Sequence, residues 1–367
     1  MLVLIFLKKD LKINEIVFIE KKVKYYFTLV IVMTIGIPFS IYPRLSFNLL
    51  FFKYIVVVLF FIIFINIVNT IYRLKIMILL GCLGSGLYLT IALAVSNLGK
   101  SRLSIGDNFD PNDLAFFALT FLVLNLIFIS ADNPLWIRGV CAINFFVGVS
   151  AILLTGSRSG FLALGISIIL LLLMKIEVLK TKHKLALVVL GVLLFISMPI
   201  DTDRYRSLIS IDADYNVQDE TGRLAIWGIG LRVMADNPLT GVGVGCFSNA
   251  VGLDREARGA DTLRWQGAHN SVIQVGAETG IVGMYLFLLI CYKVIRDFCY
   301  VKNRTNSINL VKIAQMGTIG FIGMFLSSMF LSQAYSPYLA FYIALSVAVK
   351  SFYNNEFSKT SGTKEYV

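Results

Sequence analysis

The feature that most constrains this chain is the recurrence of apolar runs long enough to cross a bilayer. Runs of about 20 residues almost without charge belong in lipid, where each backbone N–H and C=O must be satisfied inside its own segment. That requirement selects the α-helix. Ten such runs are read, at 25–42, 49–69, 74–95, 114–131, 135–154, 161–174, 185–199, 271–292, 311–331 and 338–349. The sixth and the last are short and need tilt or flanking residues to span. With 57% hydrophobic residues and a mean hydropathy of +0.79, the chain is too apolar for a soluble domain of its size. The expected fold is an all-α polytopic membrane protein of about ten helices with no separate soluble domain. The N-terminal "MLVLIFLKKD" places its apolar residues before its charges, the reverse of a secretory signal, and is too short to span.

A net charge of +11 would suggest nucleic acid in a soluble protein, but here its distribution reads as topology. If residues 8–24 are cytoplasmic, one side carries 8–24, 73–75, 138, 175–184, 293–312 and the tail from 350. That side holds 21 of the 33 Lys and Arg residues and the other side 12. The positive-inside rule then divides the chain into a cytoplasmic segment 1–24 and seven helices within 25–199. An extracytoplasmic loop 200–270 follows, then three helices within 271–349 and a cytoplasmic tail 350–367. In a Gram-negative cell the long loop faces the periplasm. Of the five cysteines only Cys246 falls in that loop, so no disulfide framework is indicated.

The polar clusters fall on the side of that loop. "DPND" at 110–113 precedes the fourth run, and "TGSRSG" at 155–160 separates the fifth and sixth. Arg158 sits between apolar runs, where an arginine is costly unless paired or hydrated; its planar fork above a turn of small residues suits a diphosphate. The bland alternative is an arginine snorkelling at a helix end. Arg223 and Trp227, four residues apart, share one face of a helix expected from about 220 to 236 and ended by Asn237 and Pro238. Solvated arginine on an amphipathic helix is the alternative there. His269 precedes the eighth run, with Asn270 as N-cap and Ser271, Gln274 and Glu278 following at helical spacing. A histidine at this boundary suits a general base, or is an interfacial residue without chemistry. Glu278 lies about two turns into the membrane, as a functional carboxylate or a partner for an arginine such as Arg158. His183 sits in a basic turn and reads as solvated. The acid pairs at 201–203 and 212–214 read as a solvated loop rather than a metal site. "GVGVG" at 241–245 lacks the Lys-Ser/Thr of a phosphate loop and reads as a flexible or close-packed turn.

In sequence these pieces are "DPNDLA", "TGSRSG" between two runs, and a long loop with "GRLAIW", "NPLTGVGVGCF" and "AHNSVIQVGAETGIVG". That combination, from about 110 to 283, resembles the O-antigen ligase and polymerase family of bacterial membrane glycosyltransferases. The resemblance implies a GT-C-type membrane fold in the cytoplasmic (inner) membrane, with its active site facing outward. It implies transfer of a glycan from an undecaprenyl-diphosphate carrier to a sugar hydroxyl, without metal or other cofactor and with inversion. By motif, Arg158 and Arg223 bind the diphosphate and His269 is the catalytic base; Asn270, Glu278 and Trp227 support them. Partners are the carrier-linked glycan, a glycan or lipid A–core acceptor, membrane lipids and polysaccharide-assembly proteins, with no nucleic acid. Repeat-unit polymerase is the leading expectation and O-antigen ligase the alternative. A non-catalytic transporter or flippase is the rival of another class; it would be expected to show internal pseudo-symmetry around a mid-membrane site.

Overall fold

The computed structural model describes residues 20–96, 102–105, 110–177, 221–259 and 264–360, together with a few single positions between 184 and 219. The expected seventh run, His183 and both acid pairs fall wholly or largely outside the described residues. The described helices are α1 (Lys21–Ile35), α2 (Pro43–Asn48), α3 (Ile55–Ile67), α4 (Ile71–Val95), α5 (Pro111–Leu122), α6 (Leu135–Leu154), α7 (Arg158–Leu173), α8 (Arg223–Asp236), α9 (Phe247–Ala257), α10 (Ser271–Lys302), α11 (Ile308–Ser328) and α12 (Pro337–Thr360). A π-helical turn at Leu49–Tyr54 joins α2 to α3, and α5 runs on as a 3₁₀ segment, Val123–Ile129. Among the described residues, seven spans are long and apolar enough to cross a membrane: Lys21–Phe39, Pro43–Ile67, Ile71–Val95, Pro111–Ile129, Leu135–Leu154, Ser271–Lys302 and Ile308–Ser328. The chain is therefore an all-α polytopic membrane protein. The short sixth run is α7, with 16 residues, and the tenth lies within α12.

Local chemistry sets several helix starts. Thr70 accepts the Arg73 N–H at the start of α4. Asp110 accepts the N–H groups of Asn112 and Asp113, with Pro111 at the first helical position of α5. Ser157 caps α7 through the Gly160 N–H, and Asn270 caps α10 through Val272 and Ile273. Each cap satisfies orphan donors that would otherwise face lipid or interface.

Helix α10 is central and packs against α1, α8, α11 and α12. Pro111–Ile129 and Ile308–Ser328 are mostly enclosed by protein, whereas the first three spans leave most of their surface outside. The core is aromatic: Tyr26 lies on Phe61, Phe64 on Phe341, and Phe321 on Tyr342. Ring pairs of this kind supply packing where lipid removes any hydrophobic drive between helices.

The basic connections gather at one end. Lys22 and Asp297 form an ion pair of 3.0 Å with both side chains almost fully buried, and Lys22 also donates to Ser346. Lys312 pairs with Asp132, whose carboxyl is held below its usual range by Lys312 and, more weakly, by Lys75. Gln315 donates to the Lys175 carbonyl, and Asn354 to Glu20. Segments 73–75, 130–134, 175–177 and 305–312, with both ends of the chain's described part, thus share one pole of the bundle. "DPND", "TGSRSG", α8 and His269 lie at the opposite pole.

The long loop is more structured than expected. Besides α8 it holds a second helix, α9, and the two share a small core with Ile226, Ile229, Phe247 and Val251. The α8 face turned from that core exposes Leu224 and Leu231. Leu239 and the spanning-helix residues Ile281 and Tyr285 are exposed as well.

Candidate active site

The site is built by loop ends at the pole opposite the basic connections. Arg158 is the first residue of α7, behind the Ser157 cap. The Thr155 carbonyl in the same turn accepts from Arg102 Nε at 2.7 Å, and Arg102 Nη2 reaches Asn112 Oδ1 at 3.0 Å. Arg102 therefore ties "TGSRSG" to "DPND". Gly160 seals the junction, since a Cβ there would stand 2.7 Å from the Ala115 Cβ. Sequence reasoning missed Arg102; its basic charge on the polar side was the available signal.

Arg223 likewise opens its helix, so both arginines stand at helix starts, where the backbone dipole adds to their positive charge. Trp227, one turn on, donates its indole N–H to the Ala268 carbonyl at 3.0 Å. Gln266 Nε2 bonds the Thr221 carbonyl. The start of α8 is therefore laced to the strand of chain that leads into His269.

His269 is the one non-glycine residue with positive φ among the described residues, at 45°. That left-handed conformation is uncommon for a histidine and persists only where its surroundings impose it. Three groups do so here. Asn270 caps α10, Trp227 holds Ala268, and the His269 N–H donates to Ser332 Oγ at 3.0 Å. The imidazole is held below its ordinary range, first by burial and then by the Arg223 charge, with Asp110 opposing. It thus feels a cation from α8 and, more weakly, a carboxylate from "DPND", and the lowered pKa leaves it neutral and able to accept a proton near pH 7.

Glu278 takes a different place from the arginines. Its buried carboxylate accepts the Phe247 N–H at 3.2 Å, and Gly245, Gln274 and Tyr335 are its other neighbours. Its hydrogen bond to Phe247 thus ties α10 to the glycine turn. Helix α10 breaks at Gly280, and the carbonyls freed there are taken up by "GVGVG": Val242 N–H meets Ala277 O at 2.9 Å and Gly243 N–H meets Glu278 O at 3.0 Å. All three glycines of that turn have positive φ, and a Cβ on any of them would stand within 2.7 Å of a neighbouring atom, so the turn is close-packed. Its far side accepts Ser40 and Ser46, which donate to the Val242 and Val244 carbonyls.

The turn 329–336 between α11 and α12 also belongs to the pole. Gln333 Nε2 donates to Asp113 Oδ1 at 2.8 Å, and its N–H to Ser271 Oγ at 3.0 Å. Sequence reasoning passed over it because Ser332 and Gln333 match no motif. Among the described residues no group of three His, Cys, Asp or Glu side chains is placed to hold a metal ion.

Residues 143–288 match the family model described as O-antigen ligase. This match supports assignment of the chain to the O-antigen ligase/polymerase family. The O-antigen ligase match contains Arg158, Arg223, Trp227, His269, Asn270 and Glu278 and stops short of "DPND" and of the turn 329–336. It supports a role of O-antigen ligase/polymerase type in surface-polysaccharide biosynthesis at a membrane, with lipid-linked glycans as substrates. No curated protein matches the chain.

Proposed function

We propose that the chain transfers a glycan from an undecaprenyl-diphosphate carrier to a sugar hydroxyl on the outer face of the cytoplasmic membrane. The observation that carries this reading is His269, held at φ 45° and within range of the Arg223 and Asp110 charges. The acceptor oxygen attacks the anomeric carbon and its proton passes to the His269 imidazole. The bond from that carbon to the diphosphate oxygen breaks, and the electron pair leaves with the diphosphate. Arg158 and Arg223, each at a helix start, stabilise the charge that grows on the leaving group. Such a displacement in one step inverts the anomeric centre and asks for no metal. The Asp110 charge favours the imidazolium as it forms, as the sign of its action on His269 requires.

The acceptor we adopt is a second carrier-linked repeat unit, which makes the chain a repeat-unit polymerase. Transfer to lipid A–core is the second reading, favoured by the description of the matched family. A deletion strain separates them: loss of a polymerase leaves single repeats on lipid A–core, and loss of a ligase leaves carrier-bound glycan and bare core.

The chemistry is tested with purified protein and carrier-linked glycan extracted from the deletion strain. His269→Ala is expected to bind that donor normally and to transfer it on the order of 10²–10⁴-fold more slowly. Because the His269 imidazole is held below its ordinary range, kcat/KM of the intact protein should stay high to a lower pH than a free imidazole would allow. Near-normal turnover of His269→Ala at matched protein levels would remove His269 from the mechanism.

A further inference from the structure

We infer that the turn 329–336 is a fourth segment of the active site, in which Ser332 and Gln333 are positioning residues for His269. The inference rests on the proposed role of His269 and names what holds it. Four side chains of this turn, each within three residues of the next, address four separate parts of the site. The Phe330 ring lies 6.2 Å from the Trp227 ring. The Ser332 hydroxyl accepts the His269 N–H at 3.0 Å. The Gln333 amide joins Asp113 to the turn at 2.8 Å. Tyr335 lies near the Glu278 carboxylate. Ser271, the first residue of α10, closes the loop from below: its hydroxyl donates to the Leu331 carbonyl at 2.9 Å and accepts the Gln333 N–H at 3.0 Å.

The physical need for this turn follows from the backbone of His269. A left-handed histidine relaxes toward ordinary φ unless both of its flanks are fixed. Asn270 fixes the following flank by capping α10, and Trp227 holds the preceding carbonyl. The N–H of His269 itself is held only by Ser332 among the hydrogen bonds of the described residues. Release of that N–H lets the residue rotate, and the imidazole then swings relative to Arg223 and Asp110. Ser332 is exposed, so loss of its hydroxyl leaves the packing of the bundle intact. Gln333 acts one bond further away: by gripping Asp113 on α5 it keeps the turn in register with Asp110, which caps the same helix.

The test compares Ser332→Ala, Ser332→Thr and the unchanged protein, each purified whole, with carrier-linked glycan extracted from the deletion strain as donor. Loss of one positioning hydrogen bond is expected to lower kcat about five- to tenfold with KM for the donor unchanged. The acid limb of the pH profile should also move up, because an imidazole that swings out loses the burial and the Arg223 charge that hold its pKa down, while the pull of Asp110 is the smallest of the three. Ser332→Thr keeps the hydroxyl and should restore both kcat and the limb. Wild-type kcat in Ser332→Ala overturns the inference. So does a lower kcat with an unmoved limb that Thr fails to restore, since that pattern marks structural damage. His269→Ala, run beside them, keeps the two claims apart. If it transfers normally, the base assignment and this inference fall together; if it is inactive while Ser332→Ala is normal, only the inference falls.

Discussion

Gly241→Ala separates what the glycine turn does for the site from what it does for the chain. Gly241 has a φ of 65°, and a Cβ there would lie 2.3 Å from the Glu278 carbonyl carbon and 2.4 Å from the Thr279 nitrogen. Both atoms are backbone, so no rotamer can yield. The methyl group must push the turn off the broken end of α10 and with it the two hydrogen bonds that Val242 and Gly243 donate to Ala277 and Glu278. Left-handed strain for a non-glycine residue costs about 1–2 kcal/mol. Each lost backbone bond adds about 1 kcal/mol, and more where a buried carbonyl is left without a donor. The expected loss is roughly 3–5 kcal/mol. Gly259→Ala is the control, because Gly259 has a φ of 66° with nothing within 4 Å of its added Cβ. It should show the strain alone, about 1–2 kcal/mol. Thermal unfolding in detergent, read with a thiol-reactive dye on the buried Cys82, Cys141, Cys246 and Cys291, measures both. Gly241→Ala should melt well below Gly259→Ala and lose glycan transfer, since the half-helix it supports carries His269 at its other end. Equal melting of the two variants would refute the close packing of the turn.

Arg158→Lys and Arg223→Lys should each keep the charge, lose the planar fork and reduce transfer sharply; full activity in both would remove the diphosphate assignment. At the opposite pole, Lys22→Met leaves the buried Asp297 paired with the half-exposed Arg296, and should lower thermal stability by about 3–5 kcal/mol. Adding Asp297→Leu should recover part of that loss, and no recovery would show that the two positions act independently. Single cysteines at Ser248 and Arg258 should react with an impermeant thiol reagent in intact cells whose outer membrane is permeabilised. Labelling only after the cytoplasmic membrane is broken would reverse the proposed orientation.

The helices, and the local settings of the candidate site residues, were legible in the sequence because each rests on local chemistry. Length and hydropathy specify a spanning helix, because lipid satisfies no backbone group and only one local structure remains. Asn270 as a cap and Asn237 as a stop follow from nearest neighbours, and both stand where the spacing put them. Arg223 and Trp227 share a face through helical periodicity alone. What brings them to His269 is contact between residues 41 positions apart in the chain, the Trp227 bond to Ala268, which no local rule encodes. The same holds for Glu278: its helical spacing from Gln274 was visible, but its partner depends on the break at Gly280 and on a turn more than 30 residues upstream. Arg102, Ser332 and Gln333 carry no motif and gain meaning only when α5, α7, α10 and the 329–336 turn meet. Local sequence fixes backbone state through short-range sterics and solvation; the tertiary structure alone decided which loop ends share one pole, because that depends on packing between segments far apart in the chain.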